Sequence, residues 1–256
     1  MSYYLNVAIV LFFYVFFVFV ISVIKKRNDV ADIAWGLGFV LITWVSFFLA
    51  HQTSYRALLV GVLVSLWGLR LAWHIASRNA GLSEDYRYQA FRKSWVRYFY
   101  FRSFLQVFLL QGSFLYIIIL PVLLINNNAG RDLGLLDGFG FVLWLVGFYF
   151  EVIGDAQLAI FIKNPDHKGQ IMQGGLWQYS RHPNYFGEVC QWWALWIIAL
   201  SVPGAWLSIV GPITITILIL KVSGIPLLEQ KMAKKPAFES YRQRVSMFFP
   251  WPPKKL

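Results

Sequence analysis

Cysteine and acidic side chains are scarce in this 256-residue chain. Cys190 is the only cysteine, so no internal disulfide can form and nothing points to an oxidising compartment. Aspartate and glutamate together number 12 against 23 lysines and arginines, which gives a formal net charge of +11. Charged residues make up 14% of the chain and hydrophobic residues 58%, a composition that excludes an ordinary soluble domain. We therefore expect an all-α, polytopic integral membrane protein.

Seven apolar runs are long enough to cross a hydrocarbon core of about 30 Å as helices. They cover residues 3–24, 30–50, 57–77, 104–125, 138–160, 184–202 and 204–224. Lys25 is the first charged residue, so the first run is expected to persist as a helix and not to be removed as a signal peptide. The sequence thus predicts one seven-helix membrane domain over 1–256, whose motif-bearing C-terminal half spans about 138–256.

The basic residues predict the orientation of these helices. Most of the 23 lysines and arginines fall in loops on one side, and the loops on the other side hold only Arg56 and Arg131. Because cytoplasmic loops are rich in lysine and arginine, we expect an outside N-terminus and a cytoplasmic C-terminus, in a bacterial inner membrane. The positive charge then faces anionic lipid headgroups and the cytosol, so it implies no nucleic-acid partner.

Ionisable side chains nevertheless occur within or at the ends of the apolar runs. They are Asp32, Arg70, His74, Glu151, Asp155 and Glu188. With the predicted orientation, each lies toward the cytoplasmic end of its helix. An unpaired charge in hydrocarbon costs at least about 2.5–3.5 kcal/mol, so opposite charges clustered around one cavity are less costly. The pattern predicts a polar cavity that opens to the cytosol.

The residues around this predicted cavity suit a nucleotide. Four basic residues at its cytoplasmic rim suit phosphate groups: Arg78, Arg92, Lys163 and Arg181. Carboxylates accept hydrogen bonds from ribose hydroxyls or an amide NH2, and the Asn184 side chain both donates and accepts. No Gly-x-Gly-x-x-Gly or P-loop motif lies between a strand and a helix, so we do not expect Rossmann-like or Walker-like binding. No paired-histidine motif or cysteine pair is present, so we expect no metal site.

Several of these residues also have purely structural interpretations. Asp32 suits a partner for the helix dipole, and His74 suits a hydrogen bond within the bundle. Segment 85–103 mixes arginine and lysine with aromatic residues, which predicts a helix lying on the membrane surface. Glu229 and Arg242 are expected to form an ordinary surface pair.

The most informative stretch is Gly174–Glu188, which reads GGLWQYSRHPNYFGE and leads into an apolar run. It resembles the C-terminal half of the steroid 5-alpha-reductase family, and Asp155, Lys163 and Pro165 match the segment that precedes it. Upstream segments 29–35, 67–71 and 84–92 resemble the bacterial branch of that family, so the resemblance covers most of the chain.

The resemblance implies a membrane reductase that uses NADPH to saturate a carbon–carbon double bond conjugated to a carbonyl. Its substrate would be lipophilic, steroid-like or isoprenoid, and would arrive from the lipid bilayer. Asp155, Asn184 and Glu188 match positions that contact the cofactor in the family, and Arg181 and Tyr185 are their neighbours in the motif. The cavity supplies further candidates for cofactor binding: Glu151, Arg70, Arg78, Arg92 and Lys163.

The resemblance is incomplete at the catalytic residues. Family members polarise the substrate carbonyl with a glutamate on the second helix and a tyrosine on the third. Here the second helix carries Asp32, whereas the third carries His74 and no tyrosine within its apolar run. Asp32 is therefore the first candidate for the donor that stabilises an enolate oxygen, and His74 is the alternative.

Two other functions compete with this interpretation. Isoprenylcysteine and phospholipid methyltransferases carry a similar Arg-His-Pro-x-Tyr turn, and a carboxylate-rich pocket also suits the sulfonium of S-adenosylmethionine. A transporter or lipid-binding protein is the second alternative. It is disfavoured because the buried charges do not extend into the outer half of the predicted spans, as a conduction path requires.

Overall fold

The computed structural model of the protein describes residues 2–50, 54–128 and 133–254. Within these ranges the secondary structure is helical, apart from one isolated parallel bridge between Ser180 and Ser246. Arg131, one of the two basic residues predicted on the outer side, lies outside the described residues. The chain divides into two compact units, and each is described by itself below.

The first unit comprises Met1–Leu133 and Val202–Ser208. Its helices are α1 (Tyr3–Lys25), α2 (Val30–Leu49), α3 (Tyr55–Asn79), α4 (Tyr86–Trp95), α5 (Phe99–Ser103), α6 (Leu110–Ile118) and α7 (Leu120–Asn126). A π-helical turn, Phe104–Leu109, connects α5 with α6. The hydroxyl of Ser54 caps α3 by accepting a hydrogen bond from the backbone N–H of Ala57 at 3.1 Å.

Helices α2 and α3 pack closely because two glycines face each other. A Cβ on Gly68 would lie 2.6 Å from the carbonyl oxygen of Gly36, so only glycine fits at this crossing. Beside the crossing, the buried rings of Phe39 and Trp67 meet edge to face with centroids 5.3 Å apart. This rigid pair of helices fixes the start of α2, where Asp32 lies.

The second unit comprises Gly134–Ser201 and Ile209–Leu256. Its helices are α8 (Leu135–Lys163), α9 (Pro183–Ala199), α10 (Val210–Ile217), α11 (Ile225–Met232) and α12 (Phe238–Arg244). Pro183 begins α9 at the first helical position, where its missing N–H leaves no helical hydrogen bond unmade. Gly147 and Gly187 lie where α8 and α9 touch, so the polar side chains on these two helices come within hydrogen-bonding distance.

The prediction of an all-α polytopic membrane protein is confirmed. Six helical segments are long and apolar enough to cross a membrane: Tyr3–Lys25, Val30–Leu49, Tyr55–Asn79, Tyr86–Ile118, Leu135–Lys163 and Ala205–Met232. The remaining predicted run, 184–202, corresponds to α9, which has 17 residues.

Segment 85–103 begins as the separate helix α4, which ends before Val96, where φ is +30°. Most side chains of the segment are exposed, but Tyr88 is only 5% exposed, and its hydroxyl donates to Asp32. The location of this helix on the membrane surface stays a prediction.

Candidate functional site

In the first unit, Asp32 lies at the centre of a compact hydrogen-bonded group. The hydroxyl of Tyr88 donates to Oδ1 of Asp32 at 2.6 Å, and Nη2 of Arg87 donates to Oδ2 at 2.8 Å. The Asp32 side chain is 15% exposed, so the charge of Arg87 offsets much of the free energy that burial of a carboxylate costs. Asp32 therefore has a fixed orientation, and so does the phenol that it holds.

Asp85 supports this group from the start of α4. Its Oδ1 accepts hydrogen bonds from the Nε and the backbone N–H of Arg87, both at 2.9 Å. Burial raises the pKa of Asp85, but the hydrogen bonds and charge of Arg87 outweigh it, so the pKa lies below its usual range. Asp29 accepts from the backbone N–H of Asp85 at 3.1 Å and pairs with Arg27 at 2.8 Å. The loop before α2 is thus fastened to the start of α4.

A narrow, mostly apolar cleft in the first unit adjoins this group. Its cavity volume is only about 20 Å³, about the room that one water molecule needs. Its lining residues come from α1, α2 and the segment 104–118: Tyr14, Val15, Val18, Ala31, Ala34, Trp35, Phe108, Gln111, Gly112 and Leu115. Ala31 is the neighbour of Asp32 in sequence, and the Gln111 side chain lies near the Tyr88 hydroxyl. An apolar lining with a polar group at one end has the chemical character that suits contact with a lipophilic molecule that carries one polar function.

The other predicted residues of the first unit have varied surroundings. Arg70 and His74 on α3 are half-buried, and Arg78 is exposed, with its Nε 3.3 Å from Oδ1 of Asn79. Arg92 pairs with Glu84 at 3.2 Å and donates to the carbonyl of Lys26 at 3.0 Å. Arg92 therefore joins α4 to the loop between α1 and α2, as Asp85 does.

In the second unit, a row of polar side chains follows the contact between α8 and α9. Nδ2 of Asn184 donates to Oδ1 of Asp155 at 2.9 Å. Two turns further along α9, Nε2 of Gln191 donates to Oε2 of Glu151 at 2.5 Å and to the carbonyl of Gly187 at 3.3 Å. Asp155, Glu151 and Gln191 are buried. Buried polar groups on apolar helices persist when they are paired in this way or have a functional role.

The paired amides leave hydrogen-bond acceptors unused. Oδ1 of Asn184 and Oε1 of Gln191 are buried and have no hydrogen-bond partner among the described residues. The nitrogen of the Gln191 amide faces Glu151 and Gly187, because both neighbours present oxygens that only accept. An acceptor without a donor is costly when buried, so the site fits a ligand rich in donors. Ribose hydroxyls and the carboxamide N–H groups of a nicotinamide are such donors.

The remaining predicted residues of this unit lie at the ends of α8 and α9. Glu188 and Tyr185 are half-buried on the first turns of α9, near Asn184 in sequence. Lys163, the last residue of α8, is exposed. Asp32, Arg70, His74, Arg78 and Arg92 belong to the first unit, so the candidate residues fall into two groups.

Arg181 is buried, with 6% of its surface exposed, and its hydrogen bonds go to other parts of the second unit. Its Nε donates to Oε1 of Glu229 at 2.7 Å, and its Nη1 donates to the carbonyls of Val245 at 2.7 Å and Arg242 at 3.1 Å. The expected surface pair of Glu229 with Arg242 is therefore wrong. Glu229 pairs with the buried Arg181, and the exposed Arg242 side chain pairs with Glu239 at 3.2 Å.

His182 lies beside the same carboxylate. Its Nε2 is 3.3 Å from Oε1 of Glu229, and its ring stacks on that of Tyr185 at 5.8 Å. Burial lowers the pKa of His182 below its ordinary value, more strongly than its hydrogen bond to the Glu229 carboxylate raises it. His182 is accordingly neutral near neutral pH.

Sequence reasoning missed Arg87, Tyr88, Gln111 and Gln191. The first two lie in the alternation of acidic, aromatic and basic residues from Glu84 to Arg92, which is equally typical of a surface helix. A polar side chain on an apolar helix was a usable signal for Gln111 and Gln191, but no charge drew attention to them.

Together, the fold and these two groups define a polytopic α-helical membrane protein with polar sites in its helices. The chain belongs to the family described as "Protein of unknown function (DUF1295)", which matches residues 18–245. It is similar to "Uncharacterized protein C594.04c" of Schizosaccharomyces pombe, with 24% identity over 272 residues that cover 90% of this chain and 74% of that protein.

Two shorter similarities concern proteins with described activities. The human 3-oxo-5-alpha-steroid 4-dehydrogenase 1 is 38% identical over 66 residues, which cover 26% of each chain. The probable O-methyltransferase ustE of Ustilaginoidea virens is 41% identical over 46 residues, which cover 18% of this chain and 16% of that protein. The chain is thus related at low identity, over about a quarter of its length or less, to steroid 5-alpha-reductases and to a methyltransferase. No solved structure matches.

Proposed function

We propose that the protein is a membrane-embedded, NADPH-dependent reductase. It saturates a carbon–carbon double bond conjugated to a carbonyl in a lipophilic substrate, steroid-like or isoprenoid. The observation that carries the proposal is the buried Tyr88–Asp32 pair at 2.6 Å beside an apolar cleft. A phenol oriented by a carboxylate is suited to hold a carbonyl oxygen, and the apolar side chains of the cleft are suited to contact the part of an apolar substrate next to that carbonyl.

The chemistry requires a donor for the charge that develops on the carbonyl oxygen. NADPH, when bound, would supply the hydride that adds to the β-carbon of the enone, and a proton from water would then add to the α-carbon of the enolate to complete the saturation. As the enolate oxygen gains negative charge, it competes with Asp32 for the proton of Tyr88, so the hydrogen bond of Tyr88 to the substrate strengthens. Arg87 holds Asp32 in place throughout. Asp32 therefore acts on the carbonyl through Tyr88, and His74 on α3 remains the alternative donor.

The residues proposed to bind the cofactor lie mainly in the second unit. Asp155, Asn184 and Glu188 are the principal contacts, with Glu151 and Tyr185 beside them. The unused acceptor oxygen of Asn184 supports this assignment, since NADPH offers ribose hydroxyls and carboxamide N–H groups. Among the basic candidates for the phosphates, the exposed Lys163 and Arg78 remain open to solvent, and Arg70 and Arg92 complete the proposed set.

The test of this proposal removes only the phenolic proton donor. Tyr88→Phe is expected to leave NADPH affinity within about twofold of wild type in detergent-purified protein. Its turnover with a panel of lipophilic enones is expected to fall roughly 100-fold or more, the scale of a lost transition-state donor. NADPH binding is measured by titration calorimetry and turnover by the loss of NADPH absorbance.

Tyr98→Phe is the matched control, because Tyr98 lies in the same helical segment and is 57% exposed. Tyr98→Phe is expected to alter neither the NADPH affinity nor the turnover. Equal turnover in the Tyr88→Phe and Tyr98→Phe proteins would exclude Tyr88 as the donor.

A methyltransferase that uses S-adenosylmethionine is the second candidate. It is favoured by the similarity to the probable O-methyltransferase and by the row of acceptors along α8 and α9, which suits a cationic sulfonium. Binding of S-adenosylmethionine by the wild-type protein, with no binding of NADPH, would establish this candidate and exclude the reductase.

A further inference from the structure

The C-terminal residues 238–251, which we call the C-terminal strap, cover the motif turn, residues 174–182. Arg181 belongs to the turn, and its guanidinium donates to the strap carbonyls of Val245 and Arg242 at 2.7 and 3.1 Å. Its Nε donates to Glu229 at 2.7 Å. The side chain that the sequence predicted to meet a phosphate is therefore directed at the protein's own C-terminal part.

Backbone and hydroxyl groups extend this attachment along the turn. The backbone N–H of Arg181 donates to the carbonyl of Ser246 at 2.9 Å, and Ser180 Oγ donates to the carbonyl of Phe248 at 2.8 Å. The backbone N–H of Trp251 donates to the carbonyl of Tyr179 at 2.9 Å. Successive residues of the turn are thus each bonded to the strap.

The same contacts continue into the start of α9. Ser180 Oγ, which donates to the strap, accepts a hydrogen bond from the backbone N–H of His182 at 3.1 Å, and His182 is the residue that precedes α9. The ring of Phe186, in the first turns of α9, packs on that of Phe248 with centroids 5.7 Å apart. The strap therefore holds in place His182 and Phe186, the residues two positions before and two positions after Asn184.

We propose that Arg181 and Glu229 are positioning residues for the cofactor site. They fasten the C-terminal strap to the motif turn, and the strap holds Asn184 where its unused oxygen accepts a hydrogen bond from the cofactor. Arg181 itself does not touch the cofactor. The contact of Asn184 with the cofactor rests on the function proposed above. The mechanical part of the inference, that the strap holds the motif turn and the start of α9 in place, concerns the protein alone.

Hydrogen exchange in the ligand-free protein tests the mechanical part. Glu229→Gln keeps the shape of the carboxylate and removes its charge, and Tyr241→Phe removes the hydroxyl that donates to the carbonyl of Trp177 at 2.6 Å. Each change is expected to speed amide exchange in the strap and in residues 183–190 by about tenfold, the scale of one lost strong hydrogen bond. Faster exchange in the strap, with unchanged exchange over 183–190, would overturn the proposal.

Arg242→Gln is the matched control for these changes. The Arg242 side chain is 54% exposed and pairs with Glu239, so its removal leaves the contacts with the motif turn in place. It is expected to leave exchange over 183–190 unchanged. If it speeds exchange as much as Glu229→Gln does, the effect reflects charge in general, and the specific role of Glu229 is excluded.

Binding measurements with two dinucleotides test the role of Arg181. Arg181→Lys keeps the charge but cannot make the three side-chain bonds. Arg181→Lys is expected to weaken the binding of NADPH and of NADH by the same factor, roughly tenfold. Glu229→Gln is expected to weaken the binding of both dinucleotides equally as well. If Arg181→Lys weakens only the binding of NADPH, and Glu229→Gln weakens the binding of neither dinucleotide, Arg181 contacts the 2′-phosphate and the proposal is overturned. If the wild-type protein binds neither dinucleotide, the proposed function fails, while the exchange experiment still decides the mechanical part.

Discussion

Asp32 and Glu188 are both carboxylates near the start of an apolar helix, yet their surroundings give them different tasks. Asp32 has Tyr88 on one oxygen and Arg87 on the other, so its charge is compensated within the protein. Glu188 lies one turn beyond Asn184, whose side-chain oxygen is unused. We therefore propose that Asp32 acts toward the substrate and Glu188 toward the cofactor.

This assignment predicts a pattern in two charge-removing variants. Glu188→Gln is expected to weaken NADPH binding roughly 10- to 150-fold, because a charge-assisted hydrogen bond is worth about 1.5–3 kcal/mol. Asp32→Asn is expected to leave NADPH affinity nearly intact and to depress turnover, since its effect grows as the enolate forms. Calorimetry and steady-state kinetics on both proteins give the pattern. A loss of NADPH binding in Asp32→Asn as large as that in Glu188→Gln would place Asp32 in the nucleotide site.

His182 predicts a pH dependence of stability. Burial lowers its pKa below the ordinary value of 6.5, so the unfolded chain binds a proton more readily than the folded protein does. The stability that the neutral ring contributes is present above about pH 6.5 and is lost as the pH falls through the lower folded-state pKa. Arg181, Glu229 and Tyr185 face the ring.

The measurement is the midpoint of thermal unfolding in detergent between about pH 7.5 and 5.5. The midpoint is expected to fall across this range in the wild-type protein and to fall less in His182→Gln. An identical decline in the two proteins would assign the pH dependence to other groups.

The contact between α8 and α9 depends on the absence of side chains at its glycines. A Cβ on Gly187 would lie 2.6 Å from the backbone nitrogen of Glu151, and neighbouring backbone cannot give way as a flexible side chain can. The two helices also carry Asp155 and Asn184, whose hydrogen bond requires this close approach. The distance between α8 and α9 thus determines whether the hydrogen bond between Asp155 and Asn184 can form.

Gly187→Ala is therefore expected to destabilise the protein by about 1–3 kcal/mol, the usual effect of overpacking, and to weaken NADPH binding as the helices move apart. Gly138→Ala on α8 is the control, because a Cβ there meets nothing within 4 Å. Alanine favours a helix over glycine by about 1 kcal/mol, so the control is expected to be neutral or stabilising. The unfolding midpoint and the dissociation constant check both changes, and equal behaviour of the two variants would refute the coupling.

Apolar periodicity and run length placed most helices correctly from sequence alone. The first run, predicted over 3–24, is the helix Tyr3–Lys25, and the fifth, predicted over 138–160, lies within Leu135–Lys163. The contacts of segment 85–103 were not predictable, because its composition is the same whether or not it bonds to a buried carboxylate. Its decisive partner, Asp32, is 56 residues from Tyr88 in sequence.

The partner of a charged side chain was the other feature that the sequence did not determine. Arg181 suits a phosphate and a carboxylate equally well, and its carboxylate partner, Glu229, is 48 residues away. By contrast, Asp155 and Asn184 are recognisable in the sequence as polar residues on apolar helices, and the structure pairs them, whereas their contact with a cofactor stays a prediction. Local patterns thus locate polar sites, whereas the contacts within them depend on packing between distant segments.

Across the whole chain, the number of membrane crossings decides on which side the two termini lie. Six segments meet the criteria of length and hydropathy, and α9 has 17 residues, near the lower limit of about 17 for a crossing helix. Six crossings would leave both termini on the same side, whereas a seventh by α9 places them on opposite sides. The excess of lysine and arginine after the last apolar run favours a cytoplasmic C-terminus. We therefore propose seven crossings, with the N-terminus outside.

Reporter fusions at both ends test this topology. A fluorescent protein that matures only in the cytoplasm, fused after Lys254, is expected to be active, and alkaline phosphatase at the same position inactive. At the N-terminus, before Tyr3, the opposite result is expected, because an odd number of crossings separates the two ends. Cytoplasmic signals at both ends would mean that α9 does not cross the membrane. The polar row of Asp155 and Asn184 would then lie at the membrane surface, and NADPH would have to bind there.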